Sequence, residues 1–189
     1  MAYLLEVEPL DLGADVKAIG LELVDNGENR EPARGGEAAA IWSRVLEAVA
    51  AAEPWALDFS SHLDRVRDYC KRHVIPFREA SGHSLVIPAP DPEQLPGALS
   101  ALLERFEAET FGARAGGPLL SGDAALEGEL ARRGVDAYHA AFPNYFFCAV
   151  CDFEEGSLVF LSNKLWASEV MRRVKPVLAG LDVQVRLPV

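Results

Sequence analysis

The run Tyr145-Phe146-Phe147-Cys148-Ala149-Val150-Cys151-Asp152-Phe153-Glu154-Glu155-Gly156-Ser157-Leu158-Val159-Phe160-Leu161-Ser162 decides the fold. Two apolar segments, Tyr145 to Phe153 and Ser157 to Ser162, flank Glu154-Glu155-Gly156. Glycine takes left-handed backbone without steric penalty, so the run reads as a β-hairpin with Gly156 at the turn. Both arms are apolar at nearly every position, so both faces of the hairpin are expected to be covered. Residues three apart on a strand point to opposite faces, which separates Cys148 from Cys151.

Downstream, Ser162-Asn163 is expected to cap a helix whose apolar stripe is Trp166, Val170, Val174 and Val177, with Pro176 near its end and Gly180 as its stop. A terminal strand, Asp182 to Leu187, turns Val183, Val185 and Leu187 inward. Upstream, a short helix is capped by Asp123 or Ser121 and stopped by Gly134. The segment Gly112 to Gly122 is glycine-rich and reads as a loose loop. Before it, Leu99, Leu102, Leu103, Phe106 and Thr110 define a helix that starts at Pro96.

The first half follows the same logic. Strands are expected at 1–8 and 16–24, followed by the Asp25-Asn26-Gly27 turn and a polar loop from Glu28 to Gly36. Trp42, Val45, Leu46 and Val49 fall at helical spacing within 38–52, and Pro54 ends that helix. Trp55 to Phe59 is a short strand. Ser60-Ser61 is expected to cap a helix that runs to Val74 with Leu63, Val66, Cys70 and Val74 on its buried face. Ser84 to Ile87 is a further strand. The expected fold is therefore α+β: a mixed sheet of about six strands with helices packed on it. It contains two strand–helix–strand units, 55–87 and 157–187, and a C-terminal hairpin. Prolines 88, 90, 92 and 96 suggest an N-terminal lobe over 1–90 and a C-terminal lobe over 91–189, with one continuous domain as the other reading.

Half of the 189 residues are apolar and a quarter are charged, with a net charge of −11. That composition excludes the collagen-like and disordered classes. No run approaches the roughly 18 apolar residues of a membrane span, and the start of the chain lacks a basic, then apolar, leader pattern. Three cysteines in no disulfide spacing suit a reducing cytoplasm. The charge is unevenly placed. Residues 1–59 carry 4 basic and 12 acidic side chains, 60–87 carry 5 and 3, 88–157 carry 4 and 12, and 158–189 carry 5 and 2. The acidic surface argues against nucleic acid as a partner. The two basic islands coincide with the two strand–helix–strand units.

Candidate chemistry is sparse. Cys148-Ala149-Val150-Cys151 could join Cys70 and His73 at a zinc ion, but a chelating pair sits on a turn, whereas these thiols sit on an apolar strand. They are expected to pack in the core, with no metal and no cofactor. His62 beside Asp58, Ser60 and Ser61 lacks the strand–turn–helix elbow of a nucleophile. A helix start carries unpaired N–H groups and partial positive charge, so Asp58, Ser60, Ser61 and His62 at one junction, and Ser162, Asn163 and Lys164 with Arg172 at the other, are the candidate residues for a small anionic ligand. The aromatic stretch Tyr138 to Phe147 offers Phe142 and Tyr145 as interface anchors.

Two functional classes follow. One is a non-catalytic regulatory or protein-interaction module, acting through a protein partner or self-association. The alternative is a small enzyme or sensor for a phosphate or carboxylate metabolite at the two junctions. The second requires His62 and Lys164 to face one pocket.

Overall fold

The computed structural model describes residues 3–12, 17–80, 84–88, 105, 110–119 and 122–187. Among them nine strands form one mixed sheet: β1 (Tyr3–Asp11), β2 (Lys17–Asp25), β3 (Trp55–Phe59), β4 (Arg78–Ala80), β5 (Ser84–Pro88), β6 (Thr110–Ala115), β7 (Phe147–Asp152), β8 (Ser157–Leu161) and β9 (Val183–Arg186). Their spatial order is β4-β5-β3-β6-β7-β8-β2-β1-β9. Every pairing is antiparallel except β1 with β9. The strands of residues 1–90 and of residues 91–189 thus share one uninterrupted sheet. Four helices accompany it: α1 (Gly35–Ala50), α2 (Leu63–His73), α3 (Ala124–Arg133) and α4 (Ala167–Leu178). A chain of short helical turns fills 134–144.

Period-two alternation assigns the two faces. Leu5 and Val7, Ile19, Leu21 and Leu23, Leu57 and Phe59, Phe147 and Ala149, and Leu158 and Phe160 point to one side, where α1, α2 and α4 close the main core. On α1 the buried stripe includes Trp42, Val45, Leu46 and Val49, as the spacing predicts. Among the described residues the opposite face is covered only in part. There α3 and the 134–144 turns lay Leu126, Leu130, Tyr138, Phe142 and Tyr145 over Cys148, Leu161 and Ala18. The hairpin is therefore covered on both sides where these turns lie, and Gly156 takes the left-handed turn position (φ 61°).

The α+β class and the mixed sheet stand as read; the strand number does not. Nine strands are present, not about six. β4 is too short to announce itself. β6 occupies residues that read as the end of a helix and, from Gly112, the start of a loop: Phe111, Ala113 and Ala115 alternate toward the main core, while Gly112 and Arg114 face the other way. A glycine and an arginine in six residues hide that alternation. Most of the helix expected from Pro96, and the proline-rich boundary beyond Pro88, lie outside the described residues; Thr110, expected on the stripe of that helix, opens β6 instead.

Several local expectations are corrected. The cap of α2 is His62, in left-handed backbone (φ 50°, ψ 32°) with no side-chain cap bond, so Ser60 and Ser61 do not cap it. Val74 leaves the buried face entirely and stands 86% exposed in left-handed backbone (φ 55°). Trp166 precedes α4 in extended backbone and is exposed; the buried stripe of α4 is Val170, Met171, Val174 and Leu178, with Val177 outside it. Leu187 is likewise exposed. Asp123 does cap α3, its Oδ1 accepting from the Leu126 N–H at 3.0 Å, and Gly134 ends that helix.

Candidate functional site

The two predicted junctions do not converge. Three successive antiparallel steps, β3 to β6 to β7 to β8, turn the end of β8 to the opposite end of the sheet from the end of β3. Ser60, Ser61 and His62 therefore lie at the end that carries the Glu154–Gly156 turn, and Ser162, Asn163 and Lys164 at the other. Ser162 is spent locally: its hydroxyl donates to the Phe146 carbonyl at 2.6 Å and accepts from the Lys164 and Leu165 N–H groups. Asn163 and Lys164 are exposed beside it. Arg172, also exposed, is held by both oxygens of Glu169. Those bonds, with one from Arg173, hold the Glu169 carboxyl down at about 2.

Asp58 belongs to neither junction. Its side chain points to the partly covered face and is buried with Arg114 of β6. Arg114 Nη2 donates to Asp58 Oδ1 at 3.1 Å and to Glu127 Oε1 at 3.0 Å, and its Nη1 donates to Tyr145 Oη at 3.0 Å. Tyr138 Oη donates to Asp58 Oδ2 at 2.6 Å, and Tyr145 Oη donates to Asp123 Oδ2 at 2.8 Å. Arg78 donates to Glu127 from the β4 edge. Arg114 Nε lies 2.8 Å from Asp58 Oδ2 without the alignment of a hydrogen bond. Burial pushes the Asp58 carboxyl up, against the pull of Arg114 and Tyr138. Burial also acts on Glu127, but bonds from Arg78 and Arg114 outweigh it and bring that carboxyl below its ordinary range. Arg114 is opposed by burial and held charged chiefly by Asp58.

This cluster ties β3, β6, α3 and the turns into one unit. Phe142 and Tyr145, expected as exposed anchors, are buried inside it. The three thiols are free and buried, with Cys148 and Cys151 on opposite faces as the strand geometry requires. Burial raises Cys70 to about 11 and drives Cys148 and Cys151 higher. Reactive side chains gathered here are engaged with one another rather than aimed at open space.

The open space lies further along the same face. Beyond the cover of α3, the strands β1, β2 and β8 form a groove of about 320 Å³. Leu10, Gly20 and Val159 line its apolar part, and Glu6, Glu8, Glu22, Glu155 and Ser157 its polar part. Register makes the charge dense: Glu6 lies directly across from Glu22, Glu8 across from Gly20, and Glu22 across from Ser157. Like charges directly opposite on adjacent strands destabilise a sheet by a few tenths to about 1 kcal/mol. Glu6 is relieved by Arg30 and by Arg186, which bring its carboxyl below the ordinary range against the effect of burial. A smaller cleft of about 220 Å³ between α1 and β9 has its charges engaged: Tyr3 Oη donates to Glu37, and Arg44 donates to the Val177 carbonyl.

The groove was missed in the sequence although Glu6, Glu8 and Glu22 alternate with buried Leu5, Val7, Leu21 and Leu23. That alternation marks a strand face left to solvent. Comparison of the chain with protein-family models, with curated proteins and with solved structures finds no match. Among the described residues no helix is long and apolar enough to cross a membrane.

Proposed function

We propose that the protein is a non-catalytic interaction module whose acid-lined groove receives a cationic segment of a protein partner. The observation that carries this reading is the cross-strand pair Glu6–Glu22, with Glu8 and Glu155 beside it, on a part of the sheet that none of the described helices covers. Arg30 and Arg186 already neutralise Glu6, so a Lys- or Arg-bearing segment would act on the neighbouring Glu8, Glu22 and Glu155. The apolar strip of Leu10 and Val159 gives such a segment a surface to bury, and the negative field of the chain draws it in.

The test is a titration of the full chain with a Lys- and Arg-rich peptide and, in parallel, with its Glu-substituted counterpart. Binding of the basic peptide alone is expected, weakening as salt is raised. Glu8→Lys combined with Glu22→Lys is expected to abolish it. Equal binding of both peptides, or binding unaffected by the two substitutions, would overturn the reading.

A further inference from the structure

The basic end of α2 is itself a segment of the kind this groove would take. At the end of α2, Lys71, Arg72, His73 and Val74 are all exposed. Arg72 turns back to the Asp68 carbonyl of its own helix at 3.3 Å. Val74 is the most exposed large apolar side chain among the described residues. It is also held in left-handed backbone, which a β-branched residue adopts only at a cost of about 1–2 kcal/mol. The result is an apolar tip with a cationic collar, projecting from the helix layer. The groove is its complement: an apolar strip within an acidic rim.

Tip and groove cannot meet within one molecule. α2 packs on the main-core face beside β3 and β5, while the groove opens on the other face between β1, β2 and β8. Six strand steps separate β4, next to the tip, from β2, which is roughly 30 Å at the usual inter-strand spacing. We infer that the groove's partner is a second copy of this chain, which docks its α2 tip head-to-tail through Lys71, Arg72 and Val74. This rests on the groove being a site for a cationic segment. Copies with a net charge of −11 repel one another at most orientations, so local complementarity selects this one. Because the two surfaces differ, the contact is heterologous and repeats into a ring or an open chain.

Complementation tests it. The groove variant Glu8→Lys/Glu22→Lys keeps its tip, and the tip variant Lys71→Gln/Arg72→Gln/Val74→Asn keeps its groove while carrying no charge that the altered groove could attract. All five positions are exposed, and circular dichroism checks that both variants fold. By sedimentation, the wild type is expected to associate with rising concentration, and each variant to remain monomeric. An equimolar mixture of the two is expected to form a one-to-one dimer that grows no further, since only one intact groove and one intact tip remain. A wild type that stays monomeric, or a mixture that does, overturns the inference; a mixture that grows past the dimer overturns the assignment of one tip and one groove. The tip variant is also titrated with the basic peptide. Its binding separates a failed self-contact from a failed groove.

Discussion

The Tyr138 hydroxyl reaches Asp58 Oδ2 across the one position of β6 that has no side chain, Gly112. A Cβ built there would lie 2.1 Å from that hydroxyl and 2.6 and 2.7 Å from two ring carbons. The glycine thus serves packing between layers rather than a turn. Gly112→Ala is expected to destabilise the protein by about 3 kcal/mol, combining overpacking with the loss of a buried hydrogen bond. Urea unfolding measures it; a midpoint equal to that of the wild type would show that the layers part without penalty.

The Asp58–Arg114 pair is expected to behave as a buried couple. Arg114→Met should cost about 3–5 kcal/mol, because it leaves the buried Asp58 carboxyl without its cation, whereas Asp58→Asn should cost less, about 1–3 kcal/mol, because Glu127 still pairs with Arg114. The double substitution should cost less than the two single ones together, by about 1 kcal/mol or more. Additive losses in the cycle would mean that the two residues stabilise the fold separately.

Glu127 gives the pH dependence a sign. Its carboxyl is held below the ordinary value of 4.5 in the folded chain. Its contribution is therefore complete above that value and is lost as pH falls through the lowered one. The stability gap between wild type and Glu127→Gln is expected to be about 2 kcal/mol near neutrality and to close in acid. Asp58 shifts the other way, which is why the comparison is made against a variant that retains it. A gap that widens on acidification would contradict the Arg78 and Arg114 bonds.

Val74→Gly is expected to stabilise the monomer by about 0.5–1 kcal/mol, since glycine removes the left-handed penalty and the exposed side chain buries little. The same change should weaken self-association. Stability and assembly would then move in opposite directions, as expected where backbone strain serves a surface. A loss of stability would mean that the Val74 side chain supports the fold.

All three thiols should resist a thiol reagent in the folded chain near pH 8, and all should react once it is unfolded, because burial raises each of them. Rapid labelling of the native chain would place one of them nearer the surface.

The sequence was most legible where one period dominated. The hairpin of β7 and β8, the α1 stripe and the Asp123–Gly134 helix followed from spacing and caps alone. It was least legible where a distant charge decided the local structure. Gly112 and Arg114 make Gly112–Ala115 look like loop until Asp58 and Glu127, 56 and 13 residues away from Arg114, are known to meet it. The clues lay in Phe111, Ala113 and Ala115, and in a single acid within the buried strand Trp55–Phe59. Phe142 and Tyr145 read as anchors because aromatic side chains serve cores and interfaces alike. The two basic islands read as one site because proximity between strand ends depends on how many times the intervening ladder reverses.

The placement of β2 also constrains how the chain is made. Its outer ladder joins Glu22 to Ser157, so the first two strands have no sheet to enter until more than 130 further residues have been synthesised. At ribosomal speeds of about 5–20 residues per second, this leaves the N-terminal hairpin waiting for several seconds or longer. Its two ladder edges are open during that interval. The carboxylates of Glu6, Glu8 and Glu22 would then act as gatekeepers against premature strand addition, well before they could receive any partner.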